Sequence, residues 1–144
     1  MEPNLIDRRV LLALAGAGLT QAGFAQVKPA QTPARGPENP TIFEHDLPDV
    51  NMHNWTVTVR EISYGPGDSS AAHRHPGITI VYVLEGAVVS KVGSGPEKTY
   101  TQGQVFMETP GELHAVSRNA STTKPAKFLA VLLAPKGAQL TVPV

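Results

Sequence analysis

The chain has no cysteine among its 144 residues. That excludes disulfides, thiolate metal sites, a cysteine nucleophile and a bacterial lipoprotein anchor. A small domain without cross-links has to be held by its core, by a metal or by a partner chain. Charge of one sign is also missing: twelve basic residues balance twelve acidic ones, for a formal net charge of zero. Arg60, Arg74, Lys91, Lys98 and Arg118 are scattered rather than clustered. Nucleic acid is therefore not an expected partner, because phosphate binding needs a concentrated basic surface. No apolar run is long enough for a membrane span. The run from Val10 to Leu19 is about half of the ~20 residues a transmembrane helix needs. Past this stretch, no segment carries a 3.6-residue apolar period.

Turn residues, by contrast, are abundant: thirteen Gly and thirteen Pro favour short strands joined by turns over long helices. The N-terminus is organised differently from the rest. Arg8-Arg9 precede the apolar run, and small residues follow up to Gly23-Phe24-Ala25. This is the three-part layout of a secretory signal over residues 1–25. The paired arginines and the glycine-containing, moderately hydrophobic core are similar to a twin-arginine export signal. A general secretory signal with two unrelated arginines, or a plain amphipathic helix, are the alternatives. On the export reading the mature protein is periplasmic or secreted and keeps no stable membrane anchor after cleavage. Residues 26–40 hold four prolines and almost nothing apolar, the composition of an extended tether. The folded domain is expected over residues 41–144.

Within that domain the pattern is one of strands. Thr41 to Asp46 is expected as a first strand, stopped by Pro48. From Trp55 to Tyr64 side chains alternate, with Trp55, Val57 and Val59 on one side and Thr56, Thr58 and Arg60 on the other. Further strands are expected over Ala71 to His75, Ile78 to Leu84, Ala87 to Val92, Glu97 to Thr101, Gln104 to Glu108, Leu113 to Ser117 and Lys127 to Ala134. Gly65-Pro66-Gly67-Asp68 and Gly93-Ser94-Gly95-Pro96 are turns. Many short strands without intervening helices mean an all-β, antiparallel sandwich or barrel.

The stretch with chemical content is His73-Arg74-His75-Pro76-Gly77, leading into Ile78-Thr79-Ile80-Val81-Tyr82-Val83-Leu84-Glu85-Gly86. Successive side chains of an extended segment alternate faces, so His73 and His75 point the same way. If extension continues, Thr79, Val81 and Val83 share that face. Two neutral imidazoles on one face can chelate a single ion. Thr109-Pro110-Gly111-Glu112-Leu113-His114 offers a third imidazole at the start of another strand. His45 and His53 belong to no such pattern and are assigned to surface or ordinary core.

The order and spacing of these residues resemble the cupins, small jelly-roll β-barrel proteins with two motifs. The first is a Gly, five residues, His-x-His, three or four residues, a Glu, six residues and a Gly. The second is a Gly, five residues, Pro-x-Gly, two residues, a His and, shortly after, an Asn. Gly67, His73, His75 and Gly86 match the first motif; Gly103, Gly111, His114 and Asn119 match the second. The resemblance runs from about Trp55 to Leu133. It departs from the family pattern where the Glu should stand, which is Thr79 here, and where Thr109-Pro110 displaces the motif proline by one position.

What the resemblance implies is an antiparallel jelly-roll (cupin) β-barrel holding one divalent metal ion through His73, His75 and His114. Imidazole donors do not distinguish among Fe, Zn, Mn, Ni and Cu. Occupancy should fall below about pH 6, where the imidazoles protonate. Without the carboxylate, the site is expected to be a three-His centre with open positions, and Thr79 to supply a weak hydroxyl contact or hold a water. Glu112, close to His114, is assigned to a turn surface rather than to the missing carboxylate. Three functions then stand side by side. One is a small-molecule oxygenase-type enzyme, another a non-catalytic binder of a small molecule. The last is a metal-free structural cupin acting as a homodimer, with Phe128, Ala130 and Leu132 on one side of the final strand and Leu129, Val131 and Leu133 on the other.

Overall fold

The computed structural model describes residues 38–144. The expected export signal and all but the end of the Pro-rich tether lie outside the described residues. Ten strands follow in order: β1 (Trp55–Tyr64), β2 (Ser69–Ser70), β3 (His73–Arg74), β4 (Ile78–Glu85), β5 (Ala87–Val92), β6 (Lys98–Thr101), β7 (Val105–Glu108), β8 (Leu113–Asn119), β9 (Ala126–Pro135) and β10 (Val142–Pro143). No helix forms among the described residues. One sheet has the order β1-β9-β4-β7; the other has β10-β3-β8-β5-β6, with β2 also paired to β8. Every pairing is antiparallel. The fold is the all-β, antiparallel jelly roll expected from the sequence.

The expected strand at Thr41–Asp46 does not form; residues 38–54 contain no strand. Ile42 and Leu47 are largely exposed there. A lone extended segment without a ladder partner gains neither backbone hydrogen bonds nor burial, so local β-propensity is not enough. The domain's regular structure starts at Trp55.

Alternation elsewhere follows the period of two. In β4, Thr79, Val81 and Val83 are buried, while Ile80, Tyr82 and Leu84 face outward and are half-buried. In β9, Phe128, Ala130 and Leu132 are buried between the sheets. The core gathers Tyr64, Val81, Val83, Val88, Phe106, Ala126 and Phe128. Register, not hydrophobicity, decides which side of β1 faces in. Because Ile62 and Tyr64 pack inward, Arg60 lines the interior cavity, and Val57 and Val59 are left outside at 63% and 59% exposure.

Close backbone approach explains Gly77. A Cβ there would stand 1.9 Å from the Leu133 carbonyl oxygen and 2.9 Å from the Ala134 Cα. Only glycine lets the chain leaving His75 pass against β9. Gly86 is needed for a second reason: φ of +70° at the β4–β5 turn, a conformation that L side chains rarely adopt. The matched Asn119 is a loop staple. Its Nδ2 donates to the Gly65 and Lys124 carbonyls at 2.8 Å each, and its Oδ1 accepts from the Ser121 amide at 2.9 Å.

Candidate metal centre

Three segments deliver the histidines. His73 lies in β3 directly opposite His114 of β8. His75 follows β3, and its carbonyl accepts from the Gly111 amide at 2.8 Å, tying the first motif to the Pro110-Gly111 turn. One ring nitrogen from each of His73, His75 and His114 lies within 4.8 Å of the others. All three are buried or half-buried. His45 and His53 are exposed and belong to no such grouping among the described residues, and Glu112 is exposed.

Hydrogen bonds fix which nitrogens converge. His73 Nδ1 donates to the Ala71 carbonyl at 2.7 Å and His75 Nδ1 to the Leu140 carbonyl at 2.5 Å. Each Nε2 therefore carries its lone pair, and these two atoms face each other at 3.2 Å. Facing lone pairs repel unless a cation lies between them. His114 is held from the other end, where Nε2 meets Ser90 Oγ at 2.9 Å. Its buried Nδ1 has no hydrogen-bond partner among the described residues. Burial pushes the His73 pKa below the ordinary imidazole value; the Ala71 hydrogen bond opposes this, His114 and His75 add to it, and Glu108 opposes it weakly. Its neutral, metal-competent form is thereby favoured.

Sequence reasoning missed Glu108. This residue ends β7, is 3% exposed, and sits directly opposite Thr79 of β4. Its Oε2 lies 2.9 Å from His114 Nδ1 and 3.6 Å from His75 Nε2. The signal was a charged residue on the same face as Phe106 in the alternation Val105-Phe106-Met107-Glu108. The C-terminal strand β10 was missed as well. It pairs with β3, and the residues just before it supply the Leu140 carbonyl that orients His75.

The histidines open onto a cavity of about 350 Å³ between the sheets. Ile62, Val81, Phe106, Phe128 and Leu132 give it apolar walls, and among the described residues Arg60 is its one permanently charged cation. Thr79 Oγ1, completely buried in the cavity wall, has no hydrogen-bond partner among the described residues.

A family model described as "Cupin domain" matches residues 60–132, from β1 into β9. The chain is a cupin. A curated relative, the cupin-domain-containing oxidoreductase srdB of Neurospora crassa, is 36% identical over 91 residues, covering 63% of this chain and 45% of the relative. The chain thus spans about half the length of that relative. Among solved structures, a double-stranded β-helix protein from Klebsiella pneumoniae is similar with a TM-score of 0.51 and 24% identity, over 74% of this cupin and 90% of that chain. The DMSP lyase DddQ from Ruegeria pomeroyi is similar with a TM-score of 0.53 and 17% identity, over 61% of this cupin and 43% of that chain. At these identities the likeness concerns the fold.

The donor set fits a divalent metal. Two ligands about 2.1 Å from a shared ion and subtending roughly 90–110° stand about 3.0–3.4 Å apart. The His73–His75 separation, 3.2 Å, lies within that range, and the His114–Glu108 contact, 2.9 Å, falls just short of it. The unpartnered His114 Nδ1 and the facing lone pairs are the polar atoms such an ion would satisfy.

Proposed function

We propose that this cupin is an exported, metal-dependent enzyme that acts on a small organic molecule, with oxygenase-type oxidoreductase chemistry. The observation that carries the reading is the convergence of three oriented imidazoles at the wall of an apolar cavity. The volume lies in the range of pockets that hold small organic ligands. The oxidoreductase name of the Neurospora relative supports the reaction class.

In this reading His73, His75 and His114 hold the metal, which supplies Lewis-acid chemistry and, with iron, dioxygen chemistry. The protein's own residues do the rest. The Ala71 and Leu140 carbonyls and Ser90 fix the imidazole orientations, as outer partners of metal ligands do. The apolar walls exclude water and favour a flat or aliphatic substrate body. Arg60 offers a cation to an anionic substituent, and the free Thr79 hydroxyl offers a hydrogen bond beside the metal. The export signal of residues 1–25 would place this activity in the periplasm or outside the cell. The outer face of the β1-β9-β4-β7 sheet, where Val59, Val131, Ile80 and Met107 form one cross-strand row, is the proposed homodimer contact.

Elemental analysis of anaerobically purified protein should find close to one transition metal per chain, and oxygen uptake should appear with a member of a panel of flavonoids, thiols and β-diketones. His75→Ala should abolish both. Substoichiometric metal in the parent, or turnover that survives His75→Ala, refutes the proposal. Full-length protein in the cytosolic fraction refutes export.

A further inference from the structure

The cupin lacks the first-motif glutamate, yet the barrel places a carboxylate beside two of the three imidazoles, those of His75 and His114. We infer that Glu108 is a fourth metal ligand, carried across one strand pair from the position where Thr79 now stands. The inference rests on the metal reading of the histidines and deepens it.

The geometry is that of a relay between neighbouring strands. Thr79 and Glu108 are Cα partners in the β4–β7 ladder, so their side chains leave the same face of the sheet side by side, with Cβ atoms about 4.5–5.5 Å apart. Both are almost wholly buried. Threonine is short and glutamate long, so the reach lost on β4 is recovered from β7. The single oxygen Oε2 lies near His114 and His75 at once.

The surroundings make another role for Glu108 hard to sustain. A buried carboxylate is costly unless it is paired, hydrogen-bonded or bound to a metal. Among the described residues its charged neighbours are the imidazoles of His75 and His114 rather than a lysine or arginine. Its contacts with His75 and His114 lack hydrogen-bond alignment. His114 Nδ1 in particular makes no hydrogen bond to Oε2 although the two atoms are 2.9 Å apart. Two donor atoms 2.9 Å apart that line the same cavity and make no hydrogen bond to each other are placed to share one cation. The charge argument agrees. Three neutral imidazoles leave a dication's full charge in a buried site, whereas Glu108 cancels half of it. The hydroxyl of Thr79 then remains free in the cavity wall, where it can meet substrate rather than metal.

The test uses metal-stripped full-length protein titrated with Zn²⁺ against a competing chelator, and with Co²⁺ to read the visible d–d spectrum. Glu108→Gln keeps the shape and removes the charge. It should weaken Zn²⁺ by on the order of 100-fold or more, since even outer-shell changes cost 10–100-fold, and should alter the Co²⁺ spectrum. The double variant Thr79→Glu/Glu108→Thr, which returns the carboxylate to β4, should recover most of the affinity. Wild-type loading with Glu108→Gln within about threefold of it and an identical Co²⁺ spectrum overturns the role of Glu108 while leaving the three-histidine centre standing. Absence of wild-type loading overturns the centre itself. Should Glu108→Gln fail to fold, as judged by circular dichroism, the exchange variant decides. Tight binding there supports interchangeable ligand positions, and affinity as weak as that of His114→Ala refutes them.

Discussion

Replacing Gly77 by alanine tests the packing that sets the site. The added Cβ would meet the Leu133 carbonyl oxygen at 1.9 Å, and the Leu133 carbonyl carbon and Ala134 Cα at 2.9 Å each. All three are backbone atoms of the central strand β9, so no side chain can swing aside. Reaching a normal contact of about 3.2 Å requires a displacement of more than about 1 Å between the start of β4 and β9, where Ile78 pairs with Leu133. Overpacking in a rigid interior costs about 1–3 kcal/mol and sometimes more; with a ladder bond disturbed, a total of about 3–4 kcal/mol is expected. In urea, with m of about 1–3 kcal/mol/M, the midpoint should fall by more than about 1 M. The melting temperature should fall by roughly 15 °C or more. Because Gly77 lies two residues from His75, metal affinity of the folded fraction should drop as well. Gly137→Ala is the control: its φ is +81° but its Cβ would meet nothing within 4 Å, so only the dihedral cost of about 1 kcal/mol applies. Urea denaturation in chelator, followed by circular dichroism, measures both. Equal midpoints for the two variants would refute the close-approach argument.

Three further outcomes are expected. The pKa of His73 is lowered in the folded protein from the ordinary 6.5, so the unfolded chain takes up this proton first. Stability of the metal-free protein should therefore be level above about pH 6.5 and be lost as pH falls through the folded value; urea midpoints from pH 8 to 5 should show this, and His73→Ala should flatten it. Ser90→Ala removes the partner of His114 Nε2 and should weaken metal binding about 10–100-fold with little change in the fold, checked by chelator competition. Val59→Lys places a charge on the outer sheet face and should convert a dimer to a monomer in sedimentation velocity. An unchanged sedimentation coefficient would rule out that face as the contact.

Several features were legible from local chemistry. The His-x-His alternation puts His73 and His75 on one face whatever the barrel does, because the pleat has a period of two. The same period forecast the buried Thr79, Val81 and Val83. Gly86 and the Gly93–Pro96 turn followed from backbone freedom and from proline's fixed φ. The resemblance of both motifs to the cupin pattern pointed to His114 as the third imidazole, and the overall pattern of short strands specified an all-β, antiparallel sandwich or barrel. In contrast, the absence of a strand at Thr41–Asp46 was not legible, since a strand exists only if a neighbour is available to pair with it.

The sequence by itself thus determined the strand-and-turn grammar, the class of fold and which imidazoles belong together. The strands, the turns and the shared face of His73 and His75 depend on residues a few positions apart, whose relation the backbone geometry imposes; His114, distant in sequence, was joined to them by the resemblance of the two motifs to the cupin pattern. Tertiary structure alone decided that Glu108 stands opposite Thr79, that Arg60 rather than Val59 faces the cavity, and that the Leu140 carbonyl orients His75. Each of these depends on the register between strands distant in sequence, and register is settled by the packing of the whole barrel rather than by any segment's own preferences.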